Sequence, residues 1–427
     1  MRNTHFLIIN ELIKYIKYLI LELPLLLLSM QMKSKRKMYL DNASTTPLDP
    51  RVLRAMLPYL KEKFGNPGSI HSYGVEAEDA VTNARKSIAK NISALPDEII
   101  FTSGGTESNN AAILGLIGGI ESASKYDLDN LHIISSVIEH SSVIEPIKFL
   151  QKKGVSVSFI PVDSKGMVNL PELKKSLKPT TVLVSIALAN NEIGTIQPIR
   201  EIAKIIRQSE KIIKYDIGHR PTFHTDASQA VLYQDLNVLK LGIDLLTIDG
   251  HKIYGPKGVG VLYLRRGVKI APLIHGGGQE SGLRGGTENV PSIVGLSKAL
   301  QIAVTERERE VPRLSLFRDL IIDRTLNIFP KSVLNGDKVN RLPNNINLSI
   351  PRVDTEFLTL QFDNKGIAVS TKSACLRDDD YSYVVRSLGG GKRRSKKTLR
   401  ISLGRYTTTR EVMRLINTME ILSKFNR

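Results

Sequence analysis

From Met38 onward, short apolar segments of strand length alternate with longer segments of helical periodicity. This alternation predicts an α/β fold in which a mostly parallel sheet is covered by helices on both faces. In the helical segment Ile199–Gln208, for example, Ile202, Ile205 and Ile206 fall on one face. The segments predicted as strands are Ile99–Thr102, His132–Ser136, Ser156–Pro161, Val182–Ala187, Leu245–Ile248 and Gly258–Leu264.

The pattern changes after about residue 304, where a long charged helix is predicted over Thr305–Leu326. Short strands and helices follow this helix in mixed order. We therefore predict a large domain over residues 50–303 and a smaller α+β domain formed by residues 38–49 together with 304–427. Residues 1–37 are predicted to be an extension outside both domains.

Composition excludes several classes of protein. Apolar residues make up 41% of the 427 residues and charged residues 24%, which excludes a wholly disordered, collagen-like or multi-span membrane chain. Cys375 is the only cysteine, so no disulfide within the chain and no cysteine-rich zinc or iron–sulfur site within one chain can form. No metal site is predicted. A single thiol is either a buried apolar residue or a reactive group.

The net charge of +18 is concentrated in two segments. Residues 1–38 carry a net charge of +5 and residues 376–410 a net charge of +7. Five basic residues of the second segment follow three glycines in a predicted loop: Lys392, Arg393, Arg394, Lys396 and Lys397. No aromatic residues are interleaved with them, so we favour a solvated loop over docking of RNA or an acidic partner, and direct nucleic-acid binding is not predicted.

The extension contains an apolar stretch, Tyr18–Met30, that is interrupted by Glu22 and Pro24. Its 13 residues are too few for a membrane-spanning helix, so no stable membrane span is predicted. Three interpretations remain: an amphipathic helix on a membrane surface, a helix that docks a partner, and translated sequence upstream of the true start. We favour the last, because later methionines can serve as starts.

A glycine-rich segment, Thr102–Asn110, follows a predicted strand and opens an apolar helix. Gly104 and Gly105 let backbone N–H groups approach an anion, Thr106 adds a hydroxyl, and the helix N-terminus adds positive potential. The pattern is that of a phosphate cradle, although by itself a glycine-rich turn with Ser/Thr capping explains it equally well. The nucleotide-binding patterns GxxxxGK[ST] and GxGxxG are both missing.

Two charged residues, Asp226 and Lys252, are placed at strand ends: Asp226 closes a further predicted strand that contains His224 and Thr225, and Lys252 follows the strand Leu245–Ile248. Ligands of open α/β sheets bind in the crevice at the carboxyl ends of the strands. There a lysine can form a Schiff base with pyridoxal phosphate, and an aspartate can keep the pyridine nitrogen protonated so that the ring acts as an electron sink. A surface lysine and an N-capping aspartate explain either residue alone, but not both together with the cradle.

Further motifs extend across nearly the whole chain after the extension, from about Tyr39 to about Leu422. They are Tyr39–Pro47, Phe64–Pro67, Phe101–Ser108, Glu139–His140, Asn190–Gly194, Asp226–Gln229, Gly250–Gly258, His275–Gly278, Arg284–Thr287, Ser373–Cys375 and Arg400–Arg405. In this order they resemble the cysteine desulfurases, within the class V aminotransferase group of pyridoxal-phosphate enzymes. The resemblance implies the aspartate aminotransferase-like fold of these enzymes and pyridoxal 5'-phosphate as cofactor.

The resemblance also implies roles around the cofactor ring. Lys252 would carry the cofactor as a Schiff base and later move protons, and His140 would stack on the pyridine ring. Asp226 would pair with the ring nitrogen. Gln229 and Asn191 would contact the ring oxygen, with Asn191 also near the substrate.

A second set of implied roles concerns the phosphate and the substrate. Gly105, Thr106 and His251 would bind the phosphate, and Thr287 would reach the phosphate of the other subunit, which implies a homodimer. Arg400 would hold the substrate carboxylate, a task suited to its planar guanidinium.

Cys375 is the implied nucleophile. Its thiolate would take the sulfur of L-cysteine as a persulfide and alanine would be released, and a sulfur-acceptor protein, either an iron–sulfur scaffold or a tRNA-thiolation enzyme, would follow. We expect a cytoplasmic enzyme. The alternatives are a selenocysteine lyase, another class V aminotransferase, and a non-enzymatic basic scaffold that docks RNA or an assembly partner.

The sequence departs from the family pattern near the site. Asp249 stands where the family usually has a hydroxyl residue, and Lys372 replaces a common glycine before Ser-Ala-Cys. A carboxylate beside a phosphate would repel it, so we expect the Asp249 carboxylate to point away from the phosphate and to cap a backbone N–H one or two residues on.

Overall fold

The computed structural model describes residues 37–123, 127–371 and 381–424. The predicted α/β architecture is confirmed in these ranges. The strands are β1 (Met38–Tyr39), β2 (Ile99–Thr102), β3 (His132–Ser136), β4 (Ser156–Ile160), β5 (Thr181–Ser185), β6 (Thr222–Asp226), β7 (Leu245–Asp249), β8 (Gly260–Leu264), β9 (Val333–Leu334), β10 (Asn345–Ser349), β11 (Ile367–Ala368) and β12 (Thr398–Ser402).

The α-helices cover both faces of the sheet and join it to the C-terminal region. They are α1 (Pro50–Lys61), α2 (Ser72–Ile92), α3 (Gly105–Asn110), α4 (Leu116–Ala123), α5 (Ser141–Lys152), α6 (Leu170–Ser176), α7 (Ile199–Ser209), α8 (Val238–Leu241), α9 (Val290–Ile328), α10 (Thr355–Asn364), α11 (Tyr383–Val385), α12 (Gly391–Ser395) and α13 (Thr409–Ser423). A π-helical turn, Ala111–Gly115, links α3 to α4 without a break.

The central sheet has seven strands in the order β2-β8-β7-β6-β5-β3-β4. All neighbouring pairs are parallel except those that β8 makes with β2 and β7. Most of its strands are buried along their whole length, as expected when helices cover both faces. Helix α7 shows how this cover forms, because Ile202, Ala203 and Ile206 of its apolar face are buried.

Two predicted strand boundaries shift for identifiable reasons. Strand β4 ends before Pro161, which lacks the N–H that would continue the ladder. Strand β8 begins at Gly260 rather than Gly258, because Gly258 has φ of 78° and lies in a turn. The predicted charged helix is longer than expected, since α9 already begins at Val290.

The direction of the strands gathers several chain segments at one edge of the sheet. Strands β3, β5, β6 and β7 run parallel, and β2 runs in the same direction because β8 is antiparallel to both β2 and β7. Their carboxyl ends therefore meet at one edge, which is where ligands of such sheets bind.

The C-terminal region carries a three-stranded antiparallel sheet of order β12-β10-β9. The first strand among the described residues, β1, pairs with β11 and so ties the segment that follows residue 37 to this region. Helix α9 runs from the central sheet into the C-terminal region and passes through residues 303 and 304. The division into domains at that point stays a prediction.

The basic segment is not the loop that the sequence predicts. Residues 386–390 form a π-helical turn and Gly391–Ser395 a short α-helix. The Ser395 hydroxyl donates to the backbone oxygens of Gly391 and Lys392, which closes this turn. Lys392, Arg393 and Lys396 are nevertheless exposed to solvent.

The proposed extension lies almost entirely outside the described ranges, which begin at residue 37. The interpretations given for it therefore stay predictions. Within the described ranges, none of the helices combines the length and the apolarity that crossing a membrane requires.

Candidate active site

A cavity of about 200 Å³ opens at the carboxyl edge of the central sheet. It brings together nine of the eleven residues that the sequence assigns to the site. These are Gly105, Thr106, His140, Asn191, Asp226, Gln229, His251, Lys252 and Arg400. They come from six separated chain segments, and the strand order places them side by side. Their roles stay predictions.

A larger cavity of about 570 Å³ lies elsewhere and contains none of these residues. Arg220 and Arg265 line it, and both pair with the buried carboxylate of Asp244. Because the Asp244 carboxylate holds both guanidinium groups in place, this cavity resembles a structural ion-pair cluster more than a reactive site.

Asp226 is the last residue of β6, and its carboxylate is fixed from two sides. The backbone N–H of Ser228 donates to Oδ1 at 2.9 Å, and the side-chain amide of Asn109 donates to Oδ2 at 2.8 Å. Neither contact neutralises the carboxylate. It can therefore accept a further charged donor from the cavity, such as a protonated ring nitrogen.

Lys252 follows β7 in a single 3-10 turn, Gly250–Lys252. Its Nζ donates to the backbone oxygens of Ala43 and Ser44, at 2.9 and 2.6 Å. Gln229 also donates to the Ala43 oxygen, at 3.0 Å. The N-terminal segment thus lies over the lysine and holds its amino group at the cavity.

The glycine-rich segment forms the turn that the sequence predicts. Gly104 has φ of 149°, and Gly105 is the first residue of α3. A Cβ on Gly105 would lie 2.9 Å from Asp249 Oδ2 and 3.2 Å from Ser228 Oγ, so a side chain does not fit there. The exposed Thr106 follows at the cavity wall. Glycine is therefore required at position 105 by the close approach of Asp249 and Ser228, and at position 104 by its positive φ.

Asp249 behaves only partly as expected. As predicted, its Oδ1 accepts from the backbone N–H two residues on, that of His251, at 3.1 Å. Its Oδ2 does not point away, however, but accepts from the Gly105 N–H at 3.0 Å. Burial by itself would raise the pKa of Asp249, but His251, the Gly105 N–H and the charge of Lys252 hold it below its ordinary value.

His251 bridges this cradle to the N-terminal segment. Its Nε2 lies 3.3 Å from Asp249 Oδ2, and its Nδ1 lies 3.0 Å from the Thr45 hydroxyl. The backbone N–H and hydroxyl of Thr46 both contact the His251 oxygen at 2.9 Å. The ring is therefore fixed at the mouth of the cradle.

Arg400 projects from β12 and is only 1% exposed. One terminal nitrogen donates to Asp41 Oδ1 at 2.9 Å and to the Ser44 hydroxyl at 2.8 Å, and the other contacts the Asn191 oxygen at 3.3 Å. Its buried Nε has no hydrogen-bond partner among the described residues. A buried arginine that lines the cavity suits a carboxylate ligand, because its planar guanidinium matches the carboxylate.

His140 caps helix α5, and its Nδ1 lies 2.8 Å from the Ser142 hydroxyl. The preceding residue, Glu139, is buried behind it. Ser136 Oγ lies 2.5 Å from Glu139 Oε1, and the Ala187 N–H donates to Oε2 at 2.9 Å. Burial, helped by the negative charge of Asp226, raises the pKa of Glu139 to about 8 although these hydrogen bonds oppose the rise.

Two predicted site residues are not among the described residues that line this cavity. Thr287 lines a different cleft, together with Arg284 and Glu288. Cys375 lies outside the described residues, as does Lys372. Its segment leaves the described chain after residue 371 and returns at residue 381, where Ser382 donates to buried Glu192 Oε2 at 2.6 Å. That hydrogen bond fixes Ser382, near the point where the described chain resumes, next to the neighbour of Asn191 in the sequence.

Sequence reasoning assigned no role to three residues that support the site: Asn109, Asp41 and Glu139. Asn109 follows Gly105 by four residues, so both lie on the same helix face, and this spacing was the available signal. The contact of Asp41 with Arg400 joins residues from opposite ends of the chain, and no local pattern predicts it. The burial of Glu139 likewise appears only in the tertiary structure.

The chain is similar to known proteins over most of its length. The sequence profile of the family "Aminotransferase class-V" matches residues 38–415. Cysteine desulfurase IscS of Dictyoglomus turgidum is 47% identical over 387 residues, which cover 90% of this chain and 94% of that protein. Cysteine desulfurase IscS 1 of Archaeoglobus fulgidus is 45% identical over 382 residues, covering 89% and 95%.

Solved structures resemble the fold as well. A NifS-like protein superposes with a TM-score of 0.83 at 37% identity, covering 91% of this chain and all of that one. SspA in complex with cysteine superposes with a TM-score of 0.72 at 32% identity, covering 87% of this chain and 100% of that one. Together with the family profile, these similarities show that the chain belongs to the class V aminotransferase family, among the cysteine desulfurases.

Proposed function

We propose that this chain is a pyridoxal-phosphate-dependent cysteine desulfurase that converts L-cysteine to L-alanine and transfers the sulfur to Cys375. One observation carries the proposal: Lys252, Asp226 and Arg400 line a single cavity. A reactive amine, a fixed carboxylate and a buried guanidinium are what an amino acid and a pyridine cofactor need together. The comparisons with cysteine desulfurases support the choice of substrate.

The cavity suits the cofactor. The carboxylate of Asp226 would hold the protonated ring nitrogen, and His140 would stack on the ring. Gly105, Thr106 and His251 would surround the phosphate, and Gln229 and Asn191 the ring oxygen. When bound, pyridoxal phosphate supplies an electron sink for negative charge that develops at the substrate α-carbon.

The residues of the chain then perform three tasks. Arg400 binds the substrate carboxylate, since its planar guanidinium belongs to a residue that lines the cavity. Lys252 moves a proton to and from the substrate carbon, because the Ala43 and Ser44 oxygens hold its amino group there. The carboxylate of Asp226 keeps its position at the cavity through both steps, because Asn109 and the Ser228 N–H hold it.

Cys375 completes the reaction as a thiolate. It attacks the sulfur of the substrate, so that the S–S bond forms as the carbon–sulfur bond breaks. The products are alanine and a persulfide on Cys375, and no outside oxidant is needed because the electron pair of the broken bond stays with the carbon. The persulfide then passes to a sulfur-acceptor protein, an iron–sulfur scaffold or a tRNA-thiolation enzyme, in the cytoplasm.

The working unit is a homodimer. Thr287 lies outside the cavity of its own chain, as expected if it reaches the phosphate bound by a partner subunit. Large apolar side chains near α1 and α2 are also exposed, among them Ile70 at 99% and Phe64 at 71%. Exposed apolar clusters of this kind mark protein–protein contacts.

Replacement of Cys375 by alanine tests the proposed reaction. Cys375→Ala should keep the absorbance of the bound cofactor and its spectral change on adding cysteine, while production of alanine and sulfide falls at least a hundredfold. Lys252→Ala serves as the matched control that loses the cofactor absorbance itself. Sulfide release near the wild-type rate in Cys375→Ala would refute the persulfide route.

The assay is run with both cysteine and selenocysteine, because a selenocysteine lyase would differ only in which of these two substrates it prefers. Alanine release from selenocysteine but not from cysteine would contradict the proposed substrate. Absence of any cofactor absorbance in the wild-type chain would contradict the proposed enzyme class.

A further inference from the structure

The phosphate cradle of this chain contains a carboxylate of its own. Asp249 is 8% exposed, and its Oδ2 accepts the Gly105 N–H at 3.0 Å. That N–H is the first donor of the helix that opens the cradle, so the carboxylate occupies a position suited to a phosphate oxygen. The second oxygen is held in place by the His251 N–H at 3.1 Å.

Few charged groups face this carboxylate among the described residues. His251 Nε2 lies 3.3 Å from Oδ2, and Lys252 follows on the same turn. From the other elements come only neutral groups, the Gly105 N–H of α3 and the Ser228 hydroxyl beside it. The Asp249 carboxylate thus already supplies one negative charge to the positive groups and N–H donors of the cradle.

His251 has an oxygen atom beside each of its two ring nitrogens. An imidazole that is protonated on both nitrogens needs two acceptors. The Thr45 hydroxyl lies 3.0 Å from Nδ1, and Asp249 Oδ2 lies 3.3 Å from Nε2, so both acceptors are present. The same oxygen of Asp249 can itself bind a proton that it shares with a neighbouring phosphate oxygen.

A phosphate that enters this cradle brings about −1.5 to −2 charges at neutral pH. Unit charges about 4 Å apart interact strongly at the intermediate dielectric of a protein surface, so two anions side by side are unfavourable. We propose that Asp249 couples binding of the phosphate group to the uptake of one proton by the cluster of Asp249, His251 and the phosphate. The inference rests on the proposed function only in taking pyridoxal phosphate as the ligand.

Binding of the phosphate group should weaken as the pH rises. At high pH the ionised Asp249 keeps the Gly105 N–H and repels the phosphate, so binding is weak. As the pH falls, the additional proton becomes available and binding strengthens, by up to tenfold per pH unit where one proton is taken up. A neutral side chain at position 249 removes this dependence.

The test compares the full-length apoenzyme with Asp249→Asn, which keeps the shape of the side chain, and Asp249→Ser. The probe is 4'-deoxypyridoxine 5'-phosphate, whose missing aldehyde excludes reaction with Lys252. Its dissociation constant is measured by calorimetry between pH 6 and 8.5 in buffers of different ionisation enthalpy. 4'-Deoxypyridoxine without phosphate is the matched control ligand.

We expect the wild type to bind the phosphorylated probe about twofold more weakly than Asp249→Asn at pH 6, with the difference growing by up to tenfold per pH unit to roughly a hundredfold or more at pH 8.5. Calorimetry should show about one more proton taken up by the wild type than by the variant. The unphosphorylated ligand should bind both proteins equally at every pH.

Equal pH profiles for wild type and Asp249→Asn would overturn the inference, and so would weaker binding by both neutral variants. These outcomes leave the proposed function intact, since the probe still binds. If pyridoxal phosphate bound to neither protein, the proposed function itself would fail.

Discussion

The buried Glu139 offers a quantitative test of the electrostatics beside the site. Burial raises its pKa to about 8 from an ordinary value of 4.5, so the carboxyl is neutral in the folded protein at pH 7. Between these two values the folded state binds one proton more than the unfolded state. Stability from this group is therefore present at low pH and is lost as the pH rises through 8.

The cost is large enough to measure. Each pKa unit corresponds to about 1.4 kcal/mol, so keeping Glu139 protonated costs on the order of 3 kcal/mol of unfolding free energy at pH 7. In Glu139→Gln the amide can donate to the Ser136 hydroxyl and accept from the Ala187 N–H without any proton uptake. The variant should gain stability relative to wild type between pH 5 and 8 and then level off.

The assay is urea unfolding of both proteins at pH 5, 6, 7, 8 and 9, each with excess cofactor. Glu145→Gln is the matched control on the same helix, since Glu145 is 65% exposed and pairs only with Lys148. That change should shift the unfolding free energy by about 0.5 kcal/mol or less at every pH. A difference between Glu139→Gln and wild type that does not change with pH would refute the reasoning.

Two further predictions follow from the site and the chain ends. Arg400→Lys should raise KM for cysteine at least tenfold and leave the cofactor absorbance unchanged, because an ammonium cannot replace the buried planar guanidinium; unchanged steady-state kinetics would contradict this role. A chain that begins at Met38 should remain dimeric, soluble and active, as judged by light scattering and alanine release; loss of the dimer would assign a structural task to residues 1–37.

The sequence by itself determined the fold class and named candidate site residues, nine of which line one cavity. Periodicity predicted six of the seven strands of the central sheet, since buried strands must be apolar along their length, and the motifs placed Asp226 and Lys252 near strand ends. The two glycines before a helix indicated the cradle, because the lack of side chains exposes backbone N–H groups and this effect is local in the sequence. The ordered motifs indicated the family before any geometry was known.

Only the tertiary structure decided contacts between distant segments. Asp41 meets Arg400, Ala43 and Ser44 hold Lys252, and the carboxylate of Asp249 turns toward Gly105 rather than away from it. Local turn chemistry correctly predicted the bond of Asp249 to the N–H two residues on. It could not predict the second bond, because the partner N–H belongs to another strand end, and only the packing of the sheet sets their separation.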